Sequence, residues 1–196
     1  NSTLDNATNM SAVVNPSTQY VTSNKKQGGA SLYFNDNGGL VFSTPKIDNG
    51  QNNPTLRNIT IALWTNRSDE NIANSHVIFK SAVTETAGDW RLKFQDDVAN
   101  ANIVGTYMCE DLSLITVTAV NSTFFADNTW KFLAMAITYT GSGANVSIYF
   151  NNSLMKYGQS CAGDENGDRT DSRGLSVGGG NEVGQFKGGL DDIMVF

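Results

Sequence analysis

One histidine, two cysteines and three prolines are all that the 196 residues hold of those types. Each scarcity excludes something. His76 is alone, so any Ser-His-Asp arrangement would depend on it, and it opens a His-Val-Ile-Phe run that reads as strand. The few prolines stand beside 19 glycines and 23 asparagines, which marks a turn-rich β composition rather than a disordered one. Only 16% of residues are charged, the net charge is −6, and no basic stripe is present, so nucleic acid is excluded as a partner. No apolar run approaches the roughly 18–20 residues of a membrane helix, so no membrane span is expected in this chain. Gly178-Gly179-Gly180 leads into a loop and not a helix, which removes a phosphate-cradling reading.

Catalytic carboxylates are equally sparse. Glycoside hydrolysis needs two carboxyls held about 5–10 Å apart across a cleft. The five glutamates are Glu70, Glu85, Glu110, Glu165 and Glu182. Glu110, before Asp111, is the only glutamate followed directly by an aspartate, and adjacent strand residues point to opposite faces. The expectation is a protein that is not an enzyme.

What is present is a set of strands. Trp130 to Tyr139 is rich in β-formers and apolar on both faces, and reads as a central strand. After Gly141-Ser142-Gly143, Val146, Ile148 and Phe150 alternate with Asn145, Ser147 and Tyr149, the period-2 signature of a half-buried strand. Asn151-Asn152 suits a type I′ hairpin turn, since Asn tolerates positive φ, and Ser153 to Tyr157 returns. Further short strands are expected near 30–35, 39–43, 57–65, 76–81, 89–95, 102–108, 113–120, 174–178 and 188–196, separated by Gly, Asn and Asp clusters. The fold class is all-β: a two-sheet antiparallel β-sandwich over residues 28–196, preceded by a polar linker or entry strand over 1–27. Trp90, Leu92 and Phe94 should face the core. Arg91, Lys93 and Gln95 should then share a solvent face with Thr116 and Thr118, if those strands are neighbours.

Two features point outside the cytosol, to a secreted or cell-surface location. Cys109 and Cys161 each flank a strand end, and a disulfide closing a loop of about 50 residues would stabilise by about 4 kcal/mol in the chain-entropy model. Asn-X-Ser/Thr occurs at Asn1, Asn6, Asn9, Asn58, Asn66, Asn121, Asn145 and Asn151. Of these, Asn66, Asn121, Asn145 and Asn151 are expected in or beside surface turns, where a glycan fits. The chain opens on Asn-Ser-Thr and reads as a piece of a longer secreted or surface protein.

Four segments, in order, carry a resemblance. They are Gly28-Gly29-Ala30-Ser31-Leu32-Tyr33-Phe34-Asn35, Ile59 to Trp64, Trp130 to Thr140 followed by Val146 to Asn152, and Leu175 to Gly179 followed by Phe186 to Ile193. The set resembles the laminin-G-like and pentraxin-like branch of the concanavalin A-like lectin/glucanase superfamily. It departs from the branch at the Asn-Asn turn, where Asp-Gly is frequent. The resemblance implies a jelly roll, and a structural calcium at Asp191 and Asp192, complemented by carbonyls near Asn35 and Gly38. Hard cations want several oxygen ligands, which paired carboxylates and loop carbonyls supply. The acidic loop Asp164 to Asp171 competes as a calcium loop, but Arg169 stands where the tight-turn glycine belongs.

Sugar recognition would use an exposed aromatic beside hydrogen-bonding side chains. Tyr107 and Tyr149, with Arg91 and Lys93, are the expected ligand-binding residues. Two readings stand. One is a non-catalytic extracellular recognition module for a glycan or an extracellular protein. The other is an architectural domain that contacts other subunits of a fibre, sheath or surface assembly.

Overall fold

The computed structural model describes residues 12–14, 17–35, 39–42, 58–68, 75–80, 90–96, 101–109, 111, 113–120, 128–140, 143–159, 175–179 and 186–196. Among the described residues there are fourteen strands. They are β1 (Ala12–Val14), β2 (Thr18–Val21), β3 (Ser31–Phe34), β4 (Leu40–Phe42), β5 (Ile59–Arg67), β6 (Ser75–Lys80) and β7 (Trp90–Asp96). The chain continues with β8 (Ala101–Met108), β9 (Leu114–Val120), β10 (Lys131–Tyr139), β11 (Ala144–Phe150), β12 (Ser153–Gln159), β13 (Leu175–Val177) and β14 (Gly188–Val195).

They form two seven-stranded sheets, every pair antiparallel. Sheet A has the order β1-β4-β13-β6-β7-β8-β9, and sheet B has β12-β11-β10-β5-β14-β3-β2. Every strand expected from the sequence is found, and β10 lies inside its sheet between β11 and β5, as its two apolar faces require. The segment read as a linker or entry strand contributes β1 to the edge of sheet A and β2 to the edge of sheet B.

Alternation decides which side chains meet between the sheets. In β9, Ile115, Val117 and Ala119 are buried while their neighbours are exposed, and β11 buries Val146, Ile148 and Phe150 in the same rhythm. Trp90, Leu92, Phe94, Ile61, Leu63, Phe34 and Phe186 join them in the core. Phe186 stacks on Phe94 with ring centroids 6.3 Å apart and meets Phe34 edge-on. Each such side chain stabilises by about 1.5–3 kcal/mol on burial. The hairpin after β11 turns on Asn151 and Asn152 with φ of 46° and 67°, the positive values a type I′ turn requires.

Candidate ligand-binding face

On β7 the core takes Trp90, Leu92 and Phe94, so Arg91, Lys93 and Gln95 point out of sheet A. Register extends them across two strands. Arg91 lies opposite Thr106, and Thr106 opposite Thr116; Lys93 lies opposite Val104, and Val104 opposite Thr118. Gln95 lies opposite Asn102, which lies opposite Val120. The sequence expectation that Arg91, Lys93, Gln95, Thr116 and Thr118 share one face is met, with β8 between their two strands.

This face is sheltered in its middle. Val104 points outward yet is only 2% exposed, while Thr116 and Thr118 at the edge are open to solvent. Asn102 Oδ1 is buried and has no hydrogen-bond partner. A buried carbonyl oxygen without a donor is costly, and with no accessible surface it is closed to a ligand as it stands. Two cations and several hydroxyls make a surface able to hydrogen-bond a polyol and to ion-pair a carboxylate.

The other expected ligand residues lie elsewhere. Tyr107 faces the core, is fully buried, and its hydroxyl bonds that of Tyr139 at 3.0 Å. It has no exposed ring to stack on a sugar: the odd-numbered register that buries Ile103 buries Tyr107 as well. Tyr149 is half-buried on the outer face of sheet B, across the sandwich from Arg91 and Lys93.

Asp191 and Asp192 sit at a bulge in β14, where the pairing with β5 shifts between Asp191 and Met194. Asp191 is buried, and its Oδ2 accepts the backbone N–H groups of Lys26 at 2.9 Å and Gln27 at 3.0 Å. Its Oδ1 accepts the N–H of Asp192 at 2.9 Å. Asp192 is exposed and has φ of 46°; slight desolvation, then the nearby Asp191 charge, raises its pKa above the ordinary 3.8.

β3 does pair with β14, but Leu32 lies opposite Leu190 and Phe34 opposite Gly188, so the strands run Asn35 away from Asp191. Asn35 lies four residues beyond Ser31, about 13 Å along a strand. Gly38 is outside the described residues. Among the described residues, three N–H donors face the Asp191 carboxylate where a cation would need further oxygens, so the residues described there do not fit a calcium ion. No group of three or more His, Cys, Asp or Glu gathers among the described residues.

The sequence reading missed what these carboxylates organise. Asn24 Oδ1 accepts Trp130 Nε1–H at 3.0 Å and Asn66 Nδ2–H at 3.3 Å, and Asn66 Nδ2 also donates to the Asn128 carbonyl at 3.1 Å. Lys26 Nζ rests 4.3 Å from the centre of the Trp64 ring. The segment between β2 and β3 is thus pinned on sheet B. Glycines make room for it: Gly188 has φ of 139° and a side chain there would strike the Asn66 carbonyl, while one at Gly189 would meet the Trp130 ring at 2.8 Å.

Asn66 is therefore no turn residue. It lies in β5, 3% exposed, and the Nδ2 a glycan would take is occupied by two acceptors. Asn145 lies half-buried within β11, and Asn151 is exposed in the hairpin turn. Cys109 is buried at the end of β8 and is not a free thiol. Asn121, Cys161, the loop Asp164 to Asp171 and all five glutamates fall outside the described residues, as does the side chain of His76.

No protein-family model and no curated protein matches the sequence. Solved structures do match in fold. The full-length tailspike protein 2 of Escherichia coli O157:H7 bacteriophage CAB120 superposes with a TM-score of 0.62 at 12% identity, over 95% of this chain and 25% of that one. The botulinum neurotoxin serotype D binding domain gives 0.61 at 11% identity, over 95% and 42%. The Ruminococcus gnavus IT-sialidase CBM40, bound to alpha2,3 sialyllactose, gives 0.52 at 13%, over 71% and 75%. This chain thus spans a quarter of the tailspike and about two-fifths of the toxin domain. At such identities the likeness carries the fold alone: a two-sheet jelly-roll β-sandwich.

Proposed function

We propose that this chain is a non-catalytic glycan-recognition module of the laminin-G-like kind, reading a carboxylate-bearing glycan on the outer face of sheet A. One observation carries the proposal: Arg91 and Lys93 project on the same outer face as Thr106, Thr116 and Thr118. A guanidinium pairs a carboxylate with two parallel hydrogen bonds, and threonine and amide groups serve sugar hydroxyls. The fold shared with a module bound to sialyllactose supports the class of ligand, while the site rests on this chain's own residues. A protein partner bearing the same acidic sugar would engage the same face.

An extracellular setting belongs to the same proposal, with Cys109 paired to Cys161, and thiol alkylation of the native protein counts the pair. The calcium implied by the resemblance does not; we assign Asp191 to anchoring the segment between β2 and β3. The experiment is an NMR titration of the labelled protein with sialyllactose and with lactose. Sialyllactose should shift the amides of residues 91–95, 102–106 and 116–118, and lactose far less. Shifts confined to β10 and β11 would contradict the placement, and none with either sugar at millimolar concentration would contradict the function.

A further inference from the structure

The outer face of sheet B differs from that of sheet A in having almost no charge. Register lays it out in rows. Leu154, Tyr149, Ala134, Ala62 and Met194 lie side by side across β12, β11, β10, β5 and β14. The next row is Tyr157, Ser147, Ala136 and Thr60, continued by Phe196, whose backbone N–H and carbonyl pair with those of Thr60 at 2.9 and 3.1 Å. Neither row holds a charged residue; Lys156 of β12 pairs with the inward-facing Ile148. A third row, Phe132 beside Trp64, closes one end, the two rings meeting edge-on at 5.5 Å.

The relief is a trough. Its floor is Ala62 and Ala134, 6% and 7% exposed, with Ala136 beside them. Its walls are large and open: Leu154 54% and Tyr157 64% exposed on one side, Met194 40% and Phe196 72% on the other. These are four of the seven large hydrophobic side chains exposed among the described residues. Contiguous exposed apolar surface of this kind marks an interaction site.

We propose that this face binds a second copy of the same chain, sheet against sheet. Three features select that occupant. The first two rows are uncharged, so two copies bring no like charges together along them. Charge enters at the third row, where Lys26 lies over Trp64 and Asp191 pairs with Trp64 in register. It is self-complementary: a two-fold axis running along the strands, between wall and floor, sets the Leu154–Tyr157 wall of each copy into the alanine trough of the other. From wall to wall the trough is four strand spacings wide, about 19 Å, which admits a row of large side chains at the roughly 10 Å separation of packed sheets. Five strands of seven residues offer roughly 550 Å² per copy, below the ~800 Å² of a standard interface, so the dimer is weak and concentration-dependent. It leaves the Arg91 and Lys93 face of each copy open, which makes the pair bivalent.

Sedimentation equilibrium from micromolar to millimolar concentration tests this. The apparent mass should rise from one copy toward two. The double variant Leu154→Glu/Tyr157→Glu, both positions already in solvent, should weaken association at least tenfold at an unchanged melting temperature. Ala134→Arg should do the same from the floor. Thr116→Lys/Thr118→Lys, on the edge strand of sheet A, should leave association unchanged. A wild-type chain that stays monomeric throughout overturns the proposal. So does a dimer lost with the β9 variant and kept with the β12 variant, which would place the contact at the strand edge.

Discussion

The Asp191 carboxylate holds the backbone N–H of Lys26, 165 residues earlier in the chain, at 2.9 Å. The neighbouring N–H of Gln27 bonds the same oxygen, so one buried carboxylate on the last strand fixes the path of the segment between β2 and β3. Hydrogen bonds to a charged group contribute about 1.5–3 kcal/mol net. Asp191→Ala should therefore cost at least about 2 kcal/mol by urea unfolding, and expose the Lys26 and Gln27 amides to hydrogen exchange. Asp191→Asn keeps one acceptor oxygen and should lose less. A variant as stable as the wild type would show that the anchor contributes nothing.

Asp192 carries the opposite sign. Burial, then the charge of Asp191, raises its pKa in the folded chain above the ordinary 3.8, so the folded state disfavours its ionised form. Such a group supports folding fully below the unfolded value and loses that support as pH rises through the folded one. Asp192→Asn should accordingly stabilise at pH 7 and lose its advantage below about pH 4. Asparagine also tolerates the φ of 46° at this position. Because the side chain is exposed and screened, the gain should stay under about 1 kcal/mol. Melting curves across pH 3–8 check it; a variant less stable at neutral pH would contradict it.

A calcium ion binding only the folded state at a hundredfold excess over Kd would add about 2.7 kcal/mol. With Asp191 committed to three N–H donors, chelation should leave the melting temperature unmoved. A drop on adding chelator, restored by calcium and abolished by Asp192→Asn, would show that the pair holds an ion after all.

Much of the fold was legible, because alternation in Trp90–Gln95, Leu114–Val120 and Asn145–Phe150 is a local signal that needs no partner to be read. Even the Asn151-Asn152 turn announced its positive φ. The site was legible only where it lay on such a strand, as with Arg91 and Lys93. Tyr107 and Tyr149 look alike in sequence, and only the register of their strands tells that one faces the core and one does not. The Asn24–Trp130 contact spans 106 positions and leaves no periodic trace, so Asn24 to Gln27 read as polar linker or entry strand. Asn66 misled for a related reason: its sequon is visible, but the strand that buries it runs two residues past the expected end.

Expression in a glycosylating host gives a direct contrast between two sequons. Asn66 should remain bare, because its Nδ2 is buried and doubly bonded, while Asn151, exposed in its turn, should carry glycan. Glycopeptide mass spectrometry reads both. A glycan at Asn66 in folded protein would contradict the packing around Asn24 and Trp130.

The central claim is that Arg91 and Lys93 give this sandwich its preference for an acidic sugar. Affinity for sialyllactose and for its methyl ester, measured by calorimetry on the wild type and on Arg91→Ala/Lys93→Ala, tests it most directly. Removing a charge-assisted pair costs about 1.5–3 kcal/mol, so the acid should lose at least tenfold in the variant, and esterification should cost the wild type a similar factor. Equal affinity of wild type and variant for the acid would contradict the account.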